Sequence, residues 1–145
     1  MAFARETVYA PVINLPLTYT DSTVDFDLAN ATSEMVALNV KDGTVRWSTK
    51  VDTFFSGGAT VANDIVFGAG LDGIVRGFAA ASGEEIWSYQ AGAGINAPLA
   101  IAGDTLLVAV GGPLMTNLAS PPALQNELIA FRLGGDPAVT ATPMP

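Results

Sequence analysis

The chain has 145 residues, half of them apolar, and a formal charge of −8 from 14 acidic and six basic side chains. It contains no histidine and no cysteine, which excludes zinc fingers, thiolate nucleophiles, iron–sulfur ligation, disulfides and Ser-His-Asp or Cys-His machinery. Six cations are too few to displace counterions from a phosphate backbone or to hold an anionic lipid surface, so neither nucleic acid nor a membrane is expected as a partner.

Residues 1–6 carry a lone Arg5 and no apolar run of signal-peptide length. Helical periodicity is weak from end to end. Short β-branched runs instead predict strands at 7–13, 35–40, 45–51, 59–62, 65–68, 74–79, 85–90, 99–102, 105–110 and 128–133. The joints Asp42-Gly43, Asn63-Asp64, Asp72-Gly73, Ser82-Gly83 and Gly103-Asp104 carry residues that tolerate the positive φ of tight hairpins. The most apolar window, 97–115, is broken by Gly103-Asp104 and Gly111-Gly112-Pro113, so it reads as two strands and a turn, not as a spanning helix. An antiparallel all-β protein is expected.

Within that pattern lies an internal repeat. The segment 37–47 overlays 77–87, so that Gly43 falls on Gly83 and Trp47 on Trp87, 40 residues apart. The same offset carries Asn63-Asp64-Ile65-Val66 onto Gly103-Asp104-Thr105-Leu106, and a third copy begins at Ala130-Phe131-Arg132-Leu133. A period near 40 with four strands and one tryptophan per period is the pattern of propeller blades. The expected fold is a partial β-propeller over 1–133 with about three blades. Counting strands gives an incomplete blade at about 7–51 lacking its innermost strand, a full blade at about 54–90, and an incomplete blade at about 97–133 lacking its outermost. Residues 111–126 read as an inserted loop and 134–145 as a Pro/Thr-rich, disordered tail. Since propellers close with roughly four to eight blades, such a wedge is expected to associate.

The pattern Ala37, Gly43 and Trp47, with Gly77, Gly83 and Trp87 in the second copy, is similar to the tryptophan-docking motif of quinoprotein propellers, the family of pyrroloquinoline quinone (PQQ) dependent alcohol dehydrogenases. Two further stretches resemble the last part of such an enzyme. Val8-Tyr9-Ala10-Pro11-Val12-Ile13-Asn14 is similar to the family's Tyr-x-Pro-x-x-Asn segment, and Phe55-Ser56-Gly57-Gly58 to its Trp-Gly-Gly segment. The likeness runs from about residue 8 to 133. It implies PQQ contact at Asn14, with Phe55 and Ser56 where the family has an aromatic border, and with backbone approach at Gly57 and Gly58. It implies calcium and a small alcohol substrate in the complete enzyme, electrons passed to an external acceptor, and a periplasmic or extracellular setting. The family's catalytic aspartate and calcium ligands belong to earlier blades, and nothing in this sequence replaces them. The resemblance thus implies the C-terminal blades of such an enzyme, in a truncated or split chain that completes the ring together with a chain carrying the other blades. The alternative is a non-catalytic scaffold or protein-binding module closed by self-association, three copies giving close to nine blades.

Other patterns have plainer readings. Trp47 and Trp87, with Ala37, Gly43 and Gly83, are expected to serve inter-blade packing, not ligand stacking. Gly68-Ala69-Gly70-Leu71-Asp72-Gly73 spells the dinucleotide fingerprint G-x-G-x-x-G, but its last glycine opens a strand where pyrophosphate binding needs a helix, so a hairpin is expected. Asp21, Asp25, Asp27 and Glu34 lack the spacing of a calcium loop and read as a solvated segment. Asn30-Ala31-Thr32 is a glycosylation sequon by spelling.

Overall fold

The computed structural model describes residues 1–112, 126–132 and 134. Most of the expected inserted loop, Leu133 and nearly all of the expected tail lie outside the described residues. The chain forms β1 (Ala2–Ala4), β2 (Thr7–Asn14), β3 (Leu17–Tyr19), β4 (Val24–Phe26), β5 (Thr32–Asn39), β6 (Val45–Val51), β7 (Thr60–Ala62), β8 (Ile65–Ala69), β9 (Ile74–Ala79), β10 (Glu85–Gln90), β11 (Ala100–Ala102), β12 (Thr105–Val110) and β13 (Glu127–Arg132). Among the described residues one 3-10 turn, Leu28–Asn30, interrupts them. Among the described residues all pairings are antiparallel: β1-β2-β5-β6, then β7-β8-β9-β10, then β11-β12-β13, with β3-β4 as a separate hairpin. This is the all-β partial propeller, each of the three larger sheets one blade, with first strand β7 in contact with both β1 and β11. Among the described residues no helix is long and apolar enough to cross a membrane.

The first blade departs from the strand count. It has four strands, not three, because Ala2–Ala4 pairs with Thr7–Tyr9 and supplies the innermost strand. The turn between them, Arg5-Glu6, has φ of 48° and 59°. Those angles are the ones a two-residue hairpin needs and are usually supplied by Asn or Gly. A three-residue strand with an Arg-Glu turn carries no sequence signal. Its equivalents are visible at Asn63 (φ 51°) and Gly103 (φ 61°), each preceded by an alanine like Ala4. The hairpin β3-β4 has no strand signal in the sequence either. Its large side chains, among them Tyr19 and Phe26, are exposed and show no buried-face alternation.

Period-2 alternation sends apolar side chains to both faces of the middle blade, and each face meets a neighbour. Val66 and Phe78 join Met35, Trp47, Val51 and Phe55 in the core between the first and second blades. Val75 and Ala69 join Ile95, Leu106, Val108 and Ile129 in the core between the second and third. Trp47, 9% exposed, lies across the β9–β10 hairpin of the second blade. Its Nε1 donates to the Ala80 carbonyl at 2.9 Å. A Cβ on Gly83 (φ +76°) would stand 2.5 Å from the indole, so the turn conformation and the tryptophan both require glycine there. Thr49 Oγ1 adds a bond to the Gly83 carbonyl at 2.6 Å. Ala37 is buried under the same indole's strand, paired with Trp47 across β5–β6. Trp87 repeats the position one blade on, edge-to-face with Phe67 and Phe131 at centroid distances of 6.2 and 5.2 Å.

Two outcomes follow for stability. Trp47→Ala should cost about 3–5 kcal/mol in denaturant unfolding, while Trp47→Phe, which keeps most of the apolar contact, should lose closer to the ~1 kcal/mol of one hydrogen bond. The Asp42 carboxyl is held below its ordinary range by the Thr44 backbone N–H and then the Thr44 hydroxyl. Because its folded pKa is depressed, its contribution is complete above the ordinary aspartate range and is lost as pH falls through the lowered value. Asp42→Ala should therefore remove part of the acid limb of a stability–pH curve and leave the slope above neutrality unchanged.

Candidate functional site

The sheets have two distinct ends. Among the described residues one end holds the tight hairpins β1–β2, β5–β6, β7–β8, β9–β10 and β11–β12. The other holds the β2–β5 connection with its β3-β4 hairpin, the β8–β9 turn, and the crossings 52–59 and 91–99 that pass from blade to blade. Residues with freedom to contact a ligand gather at this crossing end, as loops on a rigid scaffold usually do.

Backbone hydrogen bonds clip both crossings to the β8–β9 turn. Leu71 N–H donates to the Phe54 carbonyl at 3.0 Å, and Ile95 N–H donates to the Gly70 carbonyl at 3.0 Å. Gly94 and Gly112 bridge the second crossing to the third blade, with Gly112 N–H donating to the Gly94 carbonyl at 2.7 Å. At the first crossing the buried Ser33 hydroxyl donates to the Thr53 carbonyl at 2.8 Å and accepts from the Phe55 N–H at 3.0 Å. Ser33 was not singled out in the sequence. Its signal was a polar residue in register with Met35 and Ala37 on an otherwise apolar face of β5.

Asn14 ends β2 opposite Thr32 and is exposed. Since Thr32 precedes Ser33, Asn14 shares the crossing end with residues 53–58. Phe55 is corrected: it does not border open space. Its ring is fully buried between Met35, Phe78 and Gly68, edge-to-face with Phe78 at 6.3 Å. An aromatic beside paired glycines was enough to suggest a ligand border, but Phe55 fills the hole left by the missing Cβ of Gly68 instead. Gly57 is also corrected. It is buried with its N–H donated to the Ala69 carbonyl at 3.0 Å, and a Cβ there would meet that oxygen at 2.8 Å, so protein backbone fills its close approach. Gly58 (φ +70°) faces Pro98, and the half-buried Ser56 hydroxyl donates to the Ile95 carbonyl at 3.4 Å. Of the five candidates, Asn14 presents an exposed amide, and Ser56 and Gly58 are half-buried at the same end.

The fingerprint glycines form the expected hairpin. Gly73 opens β9, a strand. A Cβ on Gly68 would stand 2.4 Å from the Phe55 ring, and one on Gly70 would stand 2.7 Å from the Thr53 side chain. These glycines admit the first crossing, not a pyrophosphate. Asp72 turns inward to Arg76 at 2.6 Å, and Glu85 stands 3.5 Å from the same guanidinium. The acidic segment does not converge. Asp27 caps the 3-10 turn through the Asn30 N–H and side-chain amide, while Glu34 accepts from the Ser48 hydroxyl at 2.6 Å. Asn30 of the sequon is thereby engaged with Asp27. Among the described residues no group of three or more carboxylates stands together to hold a cation. This end thus offers a ligand the exposed Asn14 amide, and among the described residues no grouped carboxylates for a cation.

A cleft of about 480 Å³ opens at the opposite, hairpin end between the second and third blades. Phe67, Trp87, Ile101 and Phe131 line it, and the Asp104–Arg132 ion pair at 2.8 Å stands on its rim. The Arg132 guanidinium, and then the Thr105 hydroxyl, hold the Asp104 carboxyl below its usual range. None of the residues that the resemblance implied for cofactor contact lines this cleft.

A family model described as outer membrane protein assembly factor BamB matches residues 21–135. Lupanine 17-hydroxylase [cytochrome c] from a Pseudomonas species is 31% identical over an alignment of 173 positions that takes in 99% of this chain and 25% of that protein. The quinohemoprotein alcohol dehydrogenase of Comamonas testosteroni superposes with a TM-score of 0.65 at 19% identity, over 96% of this chain and 26% of that one. Quinohemoprotein alcohol dehydrogenase ADHIIG of Pseudomonas putida HK5 gives 0.61 at 23% identity, over 81% and 19%. The chain therefore spans about a quarter of the curated relative it matches.

For the crossing end, Ser33→Ala leaves the Thr53 carbonyl and the Phe55 N–H without their buried partner and should cost about 1–3 kcal/mol in denaturant unfolding. Gly57→Ala should cost a similar amount, about 1–3 kcal/mol, through its clash with the Ala69 carbonyl.

Proposed function

The chain belongs to the family of PQQ-type propeller repeats described as outer membrane protein assembly factor BamB, and from that premise we propose that it supplies the C-terminal blades of a PQQ-dependent alcohol dehydrogenase-like propeller. It completes the ring and forms one wall of the PQQ pocket at its crossing end, without being a complete catalyst by itself. The observation that carries this reading is the exposed Asn14 amide at the end where both blade crossings are clipped together. Bound PQQ supplies a two-electron acceptor for alcohol oxidation. Asn14 orients the quinone edge, while the hard cation and the proton-accepting carboxylate come from other blades. The 31% identity to a hydroxylase named with cytochrome c favours an external electron acceptor. In this reading the assembled protein works in the periplasm or outside the cell.

A second reading, a non-catalytic scaffold that binds proteins or assembles with itself, is favoured by the family's description as an assembly factor. PQQ titration with calcium separates the two, followed by calorimetry on the chain alone and on the chain mixed with a polypeptide carrying earlier blades. Saturable PQQ binding only in the mixture, weakened a few-fold by Asn14→Ala as expected for one hydrogen bond of about 1 kcal/mol, supports the cofactor wall. No PQQ binding in either sample, with native mass showing a closed ring of identical chains, supports the scaffold.

A further inference from the structure

The two blade interfaces of this chain are built from matching positions, so each can be read against the other. The sheet registers set the equivalence. The turns Arg5-Glu6, Asn63-Asp64 and Gly103-Asp104 each follow an alanine of the innermost strand: Ala4, Ala62 and Ala102. Arg5 thus corresponds to Asn63, Asp64 to Asp104, and Tyr9 to Phe67. Trp47 corresponds to Trp87 by the repeat.

At the first interface the Arg5 guanidinium crosses from one blade to the next and pairs with Asp64. Tyr9 and Trp47 are buried there, 4% and 9% exposed. At the second interface Asn63 stands where Arg5 stood and carries no charge to offer Asp104. Asp104 turns to its own blade instead. It accepts from Arg132 Nε at 2.8 Å and from the Thr105 hydroxyl at 3.0 Å. Phe67 and Trp87 are only half-buried, and the cleft of about 480 Å³ opens beside them.

The walls of that cleft are crossed aromatic rings. Trp87 meets Phe67 at an interplanar angle of 79° and Phe131 at 83°. Rings set this way present π faces in different directions, the arrangement in which aromatic cages hold alkylammonium groups. The rim adds a fixed negative charge. An ionised carboxylate can accept about four hydrogen bonds, and among the described residues Asp104 accepts from Arg132 and Thr105. The volume of the cleft falls in the range of small-molecule sites and exceeds what one arginine side chain fills. The formal charge of −8 further favours a cationic ligand.

We propose that the cleft between the second and third blades is a binding site for a small organic cation with an apolar body. Its ammonium group is held by the Phe67, Trp87 and Phe131 rings and by the Asp104 carboxylate, in the role that Arg5 plays toward Asp64. Arg132 is the internal competitor, since it occupies one oxygen of the same carboxylate. The site lies at the hairpin end, apart from Asn14 and the blade crossings, and every residue in it belongs to this chain. It therefore stands independently of the cofactor wall.

The test is calorimetric titration of the full chain with benzyltrimethylammonium, using para-tert-butylbenzyl alcohol and para-tert-butylbenzoate as neutral and anionic probes of similar shape. The expected result is saturable binding of the cation, several-fold tighter than the alcohol, with no binding of the benzoate. Asn63→Arg is the decisive variant. Asn63 has φ 51° and Arg5 holds the same turn position at φ 48°, so the turn accepts arginine. The variant should return a cation to Asp104 and weaken the probe about fivefold or more, with strand content by circular dichroism unchanged. Asp104→Asn should weaken the probe about two- to fivefold, and Arg132→Gln should tighten it by a similar factor. Asn14→Ala should leave cation affinity unchanged, which keeps this test apart from that of the cofactor wall. Absence of saturable cation binding overturns the proposal, and so does alcohol or benzoate binding as tightly as the cation. Cation binding that Asn63→Arg does not weaken overturns it too, because the probe is then held elsewhere on the acidic surface.

Discussion

A sheet that is apolar on both faces cannot be stable alone, and everything else in this molecule depends on that constraint. The middle blade has Val66 and Phe78 on one side and Val75 and Ala69 on the other, so it needs a neighbour on each face. The repeat supplies them. Direction comes from the tryptophan on the outer strand of one blade, which reads the backbone of the next through Ala80 and Gly83. That contact is specific in a way that apolar burial is not, because a single carbonyl and a glycine in the left-handed region must both be present. The inner strand β7 is then brought into contact with both β1 and β11, and the crossings fall at one end, away from the hairpins.

Glycine serves two separate purposes in this architecture. At Gly43, Gly73, Gly83 and Gly103 it provides the left-handed conformation of a turn. At Gly57, Gly68 and Gly70 it lets one blade's chain press against another's, with no room for a Cβ. The two uses are indistinguishable in the letters, which is why a run of them spells a nucleotide-binding fingerprint and yet forms a packed corner. The small residues carry the close packing between blades.

How legible the molecule was depends on whether a feature is local. The ten strands read from β-branched runs and Asp-Gly or Asn-Asp turns are all present, because those turns specify themselves within four residues. Trp47 and Gly83 were legible as packing residues because they recur at a fixed offset. The strand β1 was hidden by an Arg5-Glu6 turn whose positive φ is imposed by the pairing around it, and the β3-β4 hairpin by its exposed, unpatterned side chains. Phe55 and Gly57 were misread for a shared reason. Whether an aromatic or a glycine faces a ligand or another strand is decided by Gly68 and Ala69, a full hairpin away in sequence. Ser33 escaped notice although its hydroxyl ties two backbone groups of the first crossing.

The β3-β4 excursion gives the blades unequal roles in assembly. In the second blade every pairing joins strands that are neighbours in sequence, and its longest turn within the sheet is a few residues. The first blade must bring Asn14 back to Thr32 across residues 15–31 before β2 and β5 can pair. Closing that loop carries an entropic cost that the tight Gly70–Gly73 turn avoids. Pairings of low sequence separation form fastest, so contact order favours early pairing in the middle blade over the first. The excursion thus raises the sequence separation of the first blade's pairing above that of the middle blade, and tilts the order of pairing toward the centre of the chain.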